Sequence, residues 1–102
     1  GRTVFQPNIA VDAAGRVLVT WWRDQGFRVQ RMGMGFGQPA GRWTGYVPLT
    51  DMFPGGPGQD AFGGDYQSLI ATPSGQLPGG ATFFGAWSRL LEIQTLPITV
   101  TP

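Results

Sequence analysis

Apolar and polar residues alternate along the first part of the chain. Between Ile9 and Trp22 this alternation surrounds a short Ala-Ala-Gly connection at 13–15, where the glycine can occupy a left-handed turn position. After the turn, odd-numbered residues point to one side of an extended strand and even-numbered residues to the other. Both sets are largely apolar, which predicts a β-hairpin whose second strand is covered on both sides. It also places Trp21 and Trp22 on opposite faces.

Further strands are predicted along the same half of the chain. A third strand is expected over residues 27–34, ending in the glycine-punctuated stretch GMGFGQPAG, whose glycines are expected to form a tight loop. The stretch WTGYVPLTD indicates another short strand, in which Pro48 marks a sheet edge because proline cannot donate to a central ladder.

The second half of the chain is similar to the first. VDAAG corresponds to ATPSG, WWR to AWSR and RVQRM to EIQTL, with offsets of 60 (11 to 71), 65 (22 to 87) and 64 (30 to 94). Such repeats are typical of stacked or radially arranged sheet units. AWSRLLEIQTL also has apolar residues at helical spacing, but the repeat and the β-rich LPITV favour strands. Trp22 and Trp87 are then expected to be equivalent core residues.

We therefore predict an all-β fold of antiparallel sheets. The 102 residues form one unit of two repeats, at about 1–45 and 46–102, arranged as two β-propeller-like blades within a larger or oligomeric propeller. A small β-sandwich or barrel is the alternative. Two blades leave open flanks, on which Phe5, Val19, Phe83 and Phe84 are expected to be exposed.

Composition narrows the possible chemistry. The 102 residues include no Cys, no His and seven basic residues that are all Arg, so thiolate, imidazole and lysine chemistry are excluded. Charged residues make up only 13%, about half the usual share, and the net charge of +1 provides no electrostatic attraction for nucleic acid. No apolar run approaches a membrane span. We expect no cofactor and no metal site.

Two stretches resemble a known family. FQPNIAVDAAGRVLVTWWRD resembles the opening of a blade in sialidase-like, Asp-box-containing β-propellers, and FGGDYQSLIATPSG followed by FFGAWSR is similar to a late blade of such proteins. The Asp-box itself, Ser-x-Asp-x-Gly-x-Thr-Trp, is missing: GQPAGRWTG at 37–45 lacks the aspartate and reverses the last two residues. The resemblance implies a propeller fold in a secreted or cell-surface protein.

Candidate ligand-binding residues are Asp65, Tyr66, Arg23, Arg89 and Trp21. Asp65 and Tyr66 follow two glycines that allow a close backbone approach to a ligand, although Asp in a turn more often accepts backbone N–H bonds. The two arginines each follow a tryptophan, and Trp21 offers a face on which a sugar ring can stack.

A complete catalytic site is not visible in the sequence. The resemblance implies a site with an arginine cluster, a Tyr–Glu nucleophile pair and a separate acid, and Glu92 is the only glutamate of the chain. A pair of glycosidase carboxylates could come from Asp24, Asp60 and Asp65, but their spacing fixes no separation. Whether the chain is an enzyme is left open.

Three functions follow in order of preference. The first is a non-catalytic binding or assembly module of a secreted or surface protein, with carbohydrate as a candidate ligand. The second is a fragment of an exo-sialidase-like glycoside hydrolase, and the third is a virion or surface-layer structural protein. The expected partners are further blades of a parent chain or identical copies, and glycans; neither nucleic acid nor a membrane span is expected.

Overall fold

A computed structural model describes residues 4–25, 28–37, 43–54, 67–73, 76–89 and 92–100. These residues contain eight β-strands and one short 3-10 turn at Pro78–Gly80, and no α-helix. The strands are β1 (Val4–Val11), β2 (Val17–Gln25), β3 (Arg28–Phe36), β4 (Trp43–Pro48), β5 (Phe53–Pro54), β6 (Gln67–Ala71), β7 (Phe83–Arg89) and β8 (Glu92–Ile98). The prediction of an all-β fold with antiparallel sheets is confirmed.

The first sheet has the strand order β1-β2-β3-β4, and β5 pairs with the other end of β3. The predicted hairpin forms β1 and β2, and Gly15 takes the left-handed conformation at φ 81° in the connection between them. β4 pairs with β3 alone among the described strands, so Pro48 lies in an edge strand as predicted. Position in the sheet therefore explains why proline is tolerated there.

The second sheet has the order β6-β7-β8. The stretch with helical spacing folds as two antiparallel strands, which pair from Phe83 with Ile98 to Arg89 with Glu92. The strand interpretation is confirmed, because a central β7 can bury Phe83 and Trp87 on one face while β8 supplies the ladder. The division into repeats at about residue 45 stays a prediction.

The core lies between the two sheets. Leu18 of the first sheet packs with Phe83, Ile98 and Val100, and Trp22 and Val29 pack with Phe53 and Trp87. Trp22 and Trp87 are 2% and 1% exposed, so the prediction that both are core residues is confirmed. Trp21 points to the opposite face of β2 and is half-buried. β2 is therefore fully covered on one face only, unlike the prediction of two covered faces.

The expected exposure of Phe83 is wrong. Its side chain is 0% exposed because the two sheets pack directly on each other through this residue. Val19 and Phe84 are half-buried on the other faces of their strands, and the side chain of Phe5 is not among those that the structure describes.

Two glycines expected in a loop instead lie in β3, because that strand continues to Phe36. A Cβ atom on Gly35 would lie 2.7 Å from Cγ1 of Val100, and one on Gly33 would lie 3.1 Å from the end of the Leu49 side chain. Glycine is required here by the close approach of neighbouring side chains and not by a turn.

The two hairpins present opposite faces to the core. Gln25 pairs with Arg28 and Arg89 pairs with Glu92, so the register relates the hairpins by 64 residues (25 to 89 and 28 to 92). This register makes Trp87 equivalent to Arg23. The sequence similarity had instead suggested that Trp87 is equivalent to Trp22. Because one residue of shift exchanges the faces of a strand, the face that packs inward in the second hairpin is equivalent to the outward face of the first.

Candidate functional site

The outward face of the first sheet brings two predicted site residues together. Trp21 and Arg23 are two positions apart in β2, so both side chains project from the same face. We call this surface the first outer face; the strand register places on it Ile9, Val11, Val17, Val19, Trp21, Arg23, Gln30, Met32, Met34 and Phe36. Gln30 and Met32 are buried, at 7% and 2% exposure. Ile9 and Val11 are 67% and 57% exposed. This surface combines a large apolar area with one cation.

A cross-strand glutamine holds Arg23 in position. Gln30 lies opposite Arg23 in the register, and its Oε1 accepts hydrogen bonds from Nε and Nη2 of Arg23 at 3.0 and 2.6 Å. The Nε2 of Gln30 in turn donates to the carbonyl oxygen of Thr50 at 2.8 Å. The guanidinium is therefore ordered on the sheet surface before any partner binds, which lowers the entropic cost of using it in recognition.

Arg89, another predicted site residue, is not part of this surface. Arg89 ends β7 opposite Glu92 and so belongs to the second sheet, whereas Arg23 belongs to the first. Asp65 and Tyr66 lie outside the described residues, and their proposed roles stay predictions. Among the described residues, no group of three or more acidic, His or Cys side chains is placed to hold a metal ion.

The most unusual polar group is Arg31, which the sequence analysis did not single out. Its side chain is 0% exposed, and its Cζ lies over the ring of Trp22 at 5.0 Å and over that of Trp87 at 5.9 Å from the ring centroids. Both distances are within the range of cation–π attraction. Arg31 thus links the inner faces of the two sheets. The sequence did contain a signal for this burial. Arg31 lies two residues from Val29 in the same strand, so both side chains share one strand face.

Hydrogen bonds only partly replace the water that Arg31 loses. Nη2 donates to Oγ1 of Thr20 at 2.9 Å and Nη1 to the carbonyl oxygen of Gln6 at 3.3 Å, while Nε has no partner among the described residues. Arg31 forms no ion pair within this part of the chain. Burial therefore lowers the pKa of Arg31 to about 10, because removing the group from water disfavours its charged form.

The carbonyl of Gln6 reaches Arg31 from an irregular part of β1. The register of β1 shifts between Phe5 and Asn8, and Gln6 has φ 51°, which non-glycine residues rarely adopt. A bulge of this kind redirects backbone groups away from the ladder. Here it directs a carbonyl oxygen towards a buried cation, so the local strain in β1 is linked to the solvation of Arg31.

A second polar cluster joins the β1–β2 turn to the second sheet. Oδ1 of Asp12 accepts hydrogen bonds from the backbone N–H groups of Ala14 and Arg16, and Oδ2 accepts from Nε of Arg16 at 2.7 Å and from Oγ1 of Thr82 at 2.6 Å. Burial alone would raise the pKa of Asp12, but the hydrogen bonds from Thr82 and Arg16 outweigh it and lower the pKa below 3.8.

The Asp12 cluster borders a small cavity of about 260 Å³ that is also lined by Ala13 and Thr72. Ligand pockets are usually larger, at roughly 300–1,000 Å³. Both oxygens of Asp12 are already occupied by donors of the chain, so the carboxylate fixes the turn to the second sheet and offers no free acceptor. The Asp-x-x-Gly spacing at 12–15 was the sequence signal for this turn.

No protein-family model, curated protein or solved structure matches this chain. The described residues include no helix with the length and hydrophobicity needed to cross a membrane. The function of the chain is therefore inferred from the geometry of its described residues.

Proposed function

We propose that this chain is a non-catalytic binding or assembly module of a secreted or surface protein, in which the two sheets act as propeller-like blades. The observation that carries the proposal is the exchange of faces between the hairpins. Two layers of a sandwich related by a two-fold axis turn equivalent faces towards each other. Successive blades around an axis instead pack the front of one sheet on the back of the next, and the exchanged faces of these hairpins support such an arrangement.

The approach of the first strands supports the same arrangement. Cα atoms of β1 and β6 lie within 8 Å of each other, which is closer than the roughly 10 Å between the layers of a sandwich. Each of these strands is the first of its sheet. Sheets that converge at their first strands form a wedge, as blades do around a central axis. A small sandwich with locally converging edges remains the structural alternative.

The apolar outward faces support an assembly role. The second sheet also has an outward face, which we call the second outer face and which consists of Ser68, Ile70, Phe84, Ala86, Ser88, Ile93, Thr95 and Pro97. Ile70 and Ile93 are 53% and 63% exposed. Apolar faces on opposite sides of a small protein are typical of surfaces that another sheet covers.

The association state of the isolated chain tests this proposal. Light scattering across a micromolar concentration series, with a parallel thermal melt, is expected to show species heavier than one chain. A soluble monomer with a cooperative melt at every concentration would contradict the assembly role and favour a closed sandwich.

Carbohydrate binding is the second candidate, because Trp21 and the ordered Arg23 lie side by side on one face. A tryptophan ring and a fixed cation can together stack on and hydrogen-bond to a sugar. Both candidate functions use the first outer face. A glycan array probed with the chain and with Trp21→Ala separates them, because only carbohydrate binding predicts a glycan signal that the variant loses. Hydrolysis of a fluorogenic sialoside by the chain would instead support the glycosidase alternative.

A further inference from the structure

Arg31 carries a charge that no acidic side chain in the described part of the chain compensates. The residue is 0% exposed, forms no ion pair with a described residue, and its Nε has no hydrogen-bond partner there. A buried cation is stable only when a negative group or sufficient hydrogen bonds replace the water that it loses. Negative charge is therefore favoured at this point of the interior.

Two further buried polar atoms without a partner lie close to this cation in β1. They are Oε1 of Gln6 and Nδ2 of Asn8. The carbonyl oxygen of Gln6 already accepts a hydrogen bond from Nη1 of Arg31 at 3.3 Å. Asn8 lies opposite Thr20 in the register, and Oγ1 of Thr20 accepts from Nη2 of Arg31 at 2.9 Å. Both amides are thus next to groups that contact Arg31.

A third such atom, Oε1 of Gln67, comes from the second sheet. Gln67 lies opposite Trp87 in the register, and the centroid of the Trp87 ring is 5.9 Å from Cζ of Arg31. Its strand, β6, also approaches β1. We call Gln6, Asn8 and Gln67 the amide cluster. All three residues are half-buried, so the cluster extends from the interior to the surface between the two strands.

The amide cluster can supply N–H donors beside Arg31. Nε of Arg31 and Nδ2 of Asn8 are donors as they stand. A glutamine carboxamide that turns over exchanges its oxygen for its NH2 group with little change in shape, so Gln6 and Gln67 can donate as well. Several N–H groups around a buried cation suit a negative ion. Water would satisfy these hydrogen bonds but would leave the charge uncompensated.

The geometry points to a site for a small monovalent anion such as chloride, between β1 and β6 beside Nε of Arg31. One negative charge matches the single cation, whereas sulfate or phosphate would bury an excess charge. The covered position of these atoms favours a single-atom ion, which the half-buried amides admit by turning. The positive φ of 51° at Gln6 is strain of the kind that occurs at ligand clamps. The site is independent of the proposed assembly role.

Chloride itself is the probe for this site. An ion that binds only the folded chain stabilises it by mass action, so each tenfold rise in chloride above its dissociation constant should raise the folding equilibrium constant about tenfold. Urea denaturation measures this effect at fixed ionic strength, with gluconate replacing chloride and the protein concentration held constant. The line width of the chloride NMR signal measures binding directly and should increase with the concentration of folded protein.

Three variants locate the site. Arg31→Met removes the cation and should abolish both responses. Asn8→Asp places a permanent carboxylate in the amide cluster, so the folded chain contains its own anion and should be indifferent to chloride. Gln30→Glu is the matched control: it makes the same amide-to-carboxylate change one residue from Arg31, but Gln30 lies on the opposite face of β3 and bonds to Arg23. This variant should keep the chloride response of the parent.

Each other outcome contradicts the inference. An unchanged chloride line width, or the same chloride dependence in the parent and in Arg31→Met, would show a general salt effect without a site. A full chloride response in Asn8→Asp would exclude the position between β1 and β6. If Arg31→Met does not fold, the comparison of Asn8→Asp with Gln30→Glu decides, because only the first of these two should lose the response.

Discussion

Gly35 in β3 packs closely on Val100, two residues after the end of β8, and this contact can be tested by mutation. In Gly35→Ala, the new Cβ would lie 2.7 and 2.8 Å from the two methyl carbons of Val100, which is itself 5% exposed. Distances this short require a shift of one side chain or of the backbone. Overpacking of this kind costs about 1–3 kcal/mol. The lower chain entropy of alanine in the unfolded state offsets about 0.4–1 kcal/mol of that cost.

Removal of the Val100 methyl groups should relieve this overlap. Val100→Ala alone is expected to lower the free energy of unfolding by about 1.5–3 kcal/mol, because two buried methyl groups are lost. In the double variant, the methyl group added at position 35 occupies the space that the shortened side chain at position 100 leaves. The double variant should therefore be more stable than the sum of the two single changes predicts, by about 1–3 kcal/mol.

Urea denaturation of the parent, the two single variants and the double variant measures this coupling, at one fixed protein concentration because association would add to stability. Gly33→Ala is the control: its Cβ would lie 3.1 Å from the end of the Leu49 side chain and not 2.7 Å from Val100, so the change should cost less and couple more weakly to Val100→Ala. Additivity of Gly35→Ala and Val100→Ala within about 0.5 kcal/mol would refute the described packing of the two sheets.

Three further predictions concern the core and its polar groups. Trp22→Ala and Trp87→Ala should each cost about 3–5 kcal/mol because each removes a buried aromatic side chain; a melting temperature within a few degrees of the parent would contradict this. Asp12→Asn should cost about 1–3 kcal/mol in urea denaturation, because its amide nitrogen cannot accept the hydrogen bonds that Oδ2 now receives from Thr82 and Arg16. Since the folded pKa of Asp12 is depressed, the parent loses this stabilisation as the pH falls below 3.8, and an acid titration of the variant should lack that part of the loss. Burial lowers the pKa of Arg31 to about 10 in the folded state, so its charge opposes folding below pH 10 and this opposition weakens as the pH rises through 10. Between pH 8 and 11 the parent should gain on the order of 1 kcal/mol relative to Arg31→Met, and equal pH dependence of the two would contradict it.

The elements that local pattern determines could be predicted from the sequence. Period-two alternation correctly indicated the hairpin around Gly15, and it placed Trp21 and Trp22 on opposite faces. Large aromatic residues at the ends of apolar strands correctly indicated Trp22 and Trp87 as core.

The features that the sequence did not reveal depend on residues far apart in the chain. Gly35 resembles a loop residue until Val100 is seen beside it, since a glycine has no side chain to show which contact requires it. Arg31 looks like a surface residue until Trp87 of the second sheet covers it. The exchange of faces between the hairpins was missed because a one-residue difference in offset hardly changes sequence similarity, although it reverses every side chain of a strand.

The position of Arg31 has a consequence for how the native fold is distinguished from its competitors. Its contacts come from three strands: the carbonyl of Gln6 in β1, Thr20 and Trp22 in β2, and Trp87 in β7. A misfolded state in which the sheets slide, or in which β2 and β3 pair two residues out of step, would bury the same cation without these groups. We expect such states to be raised in energy by several kcal/mol, the cost of an uncompensated buried charge. Arg31 would then add little to the depth of the native minimum while widening the energy gap that separates it from every misaligned alternative.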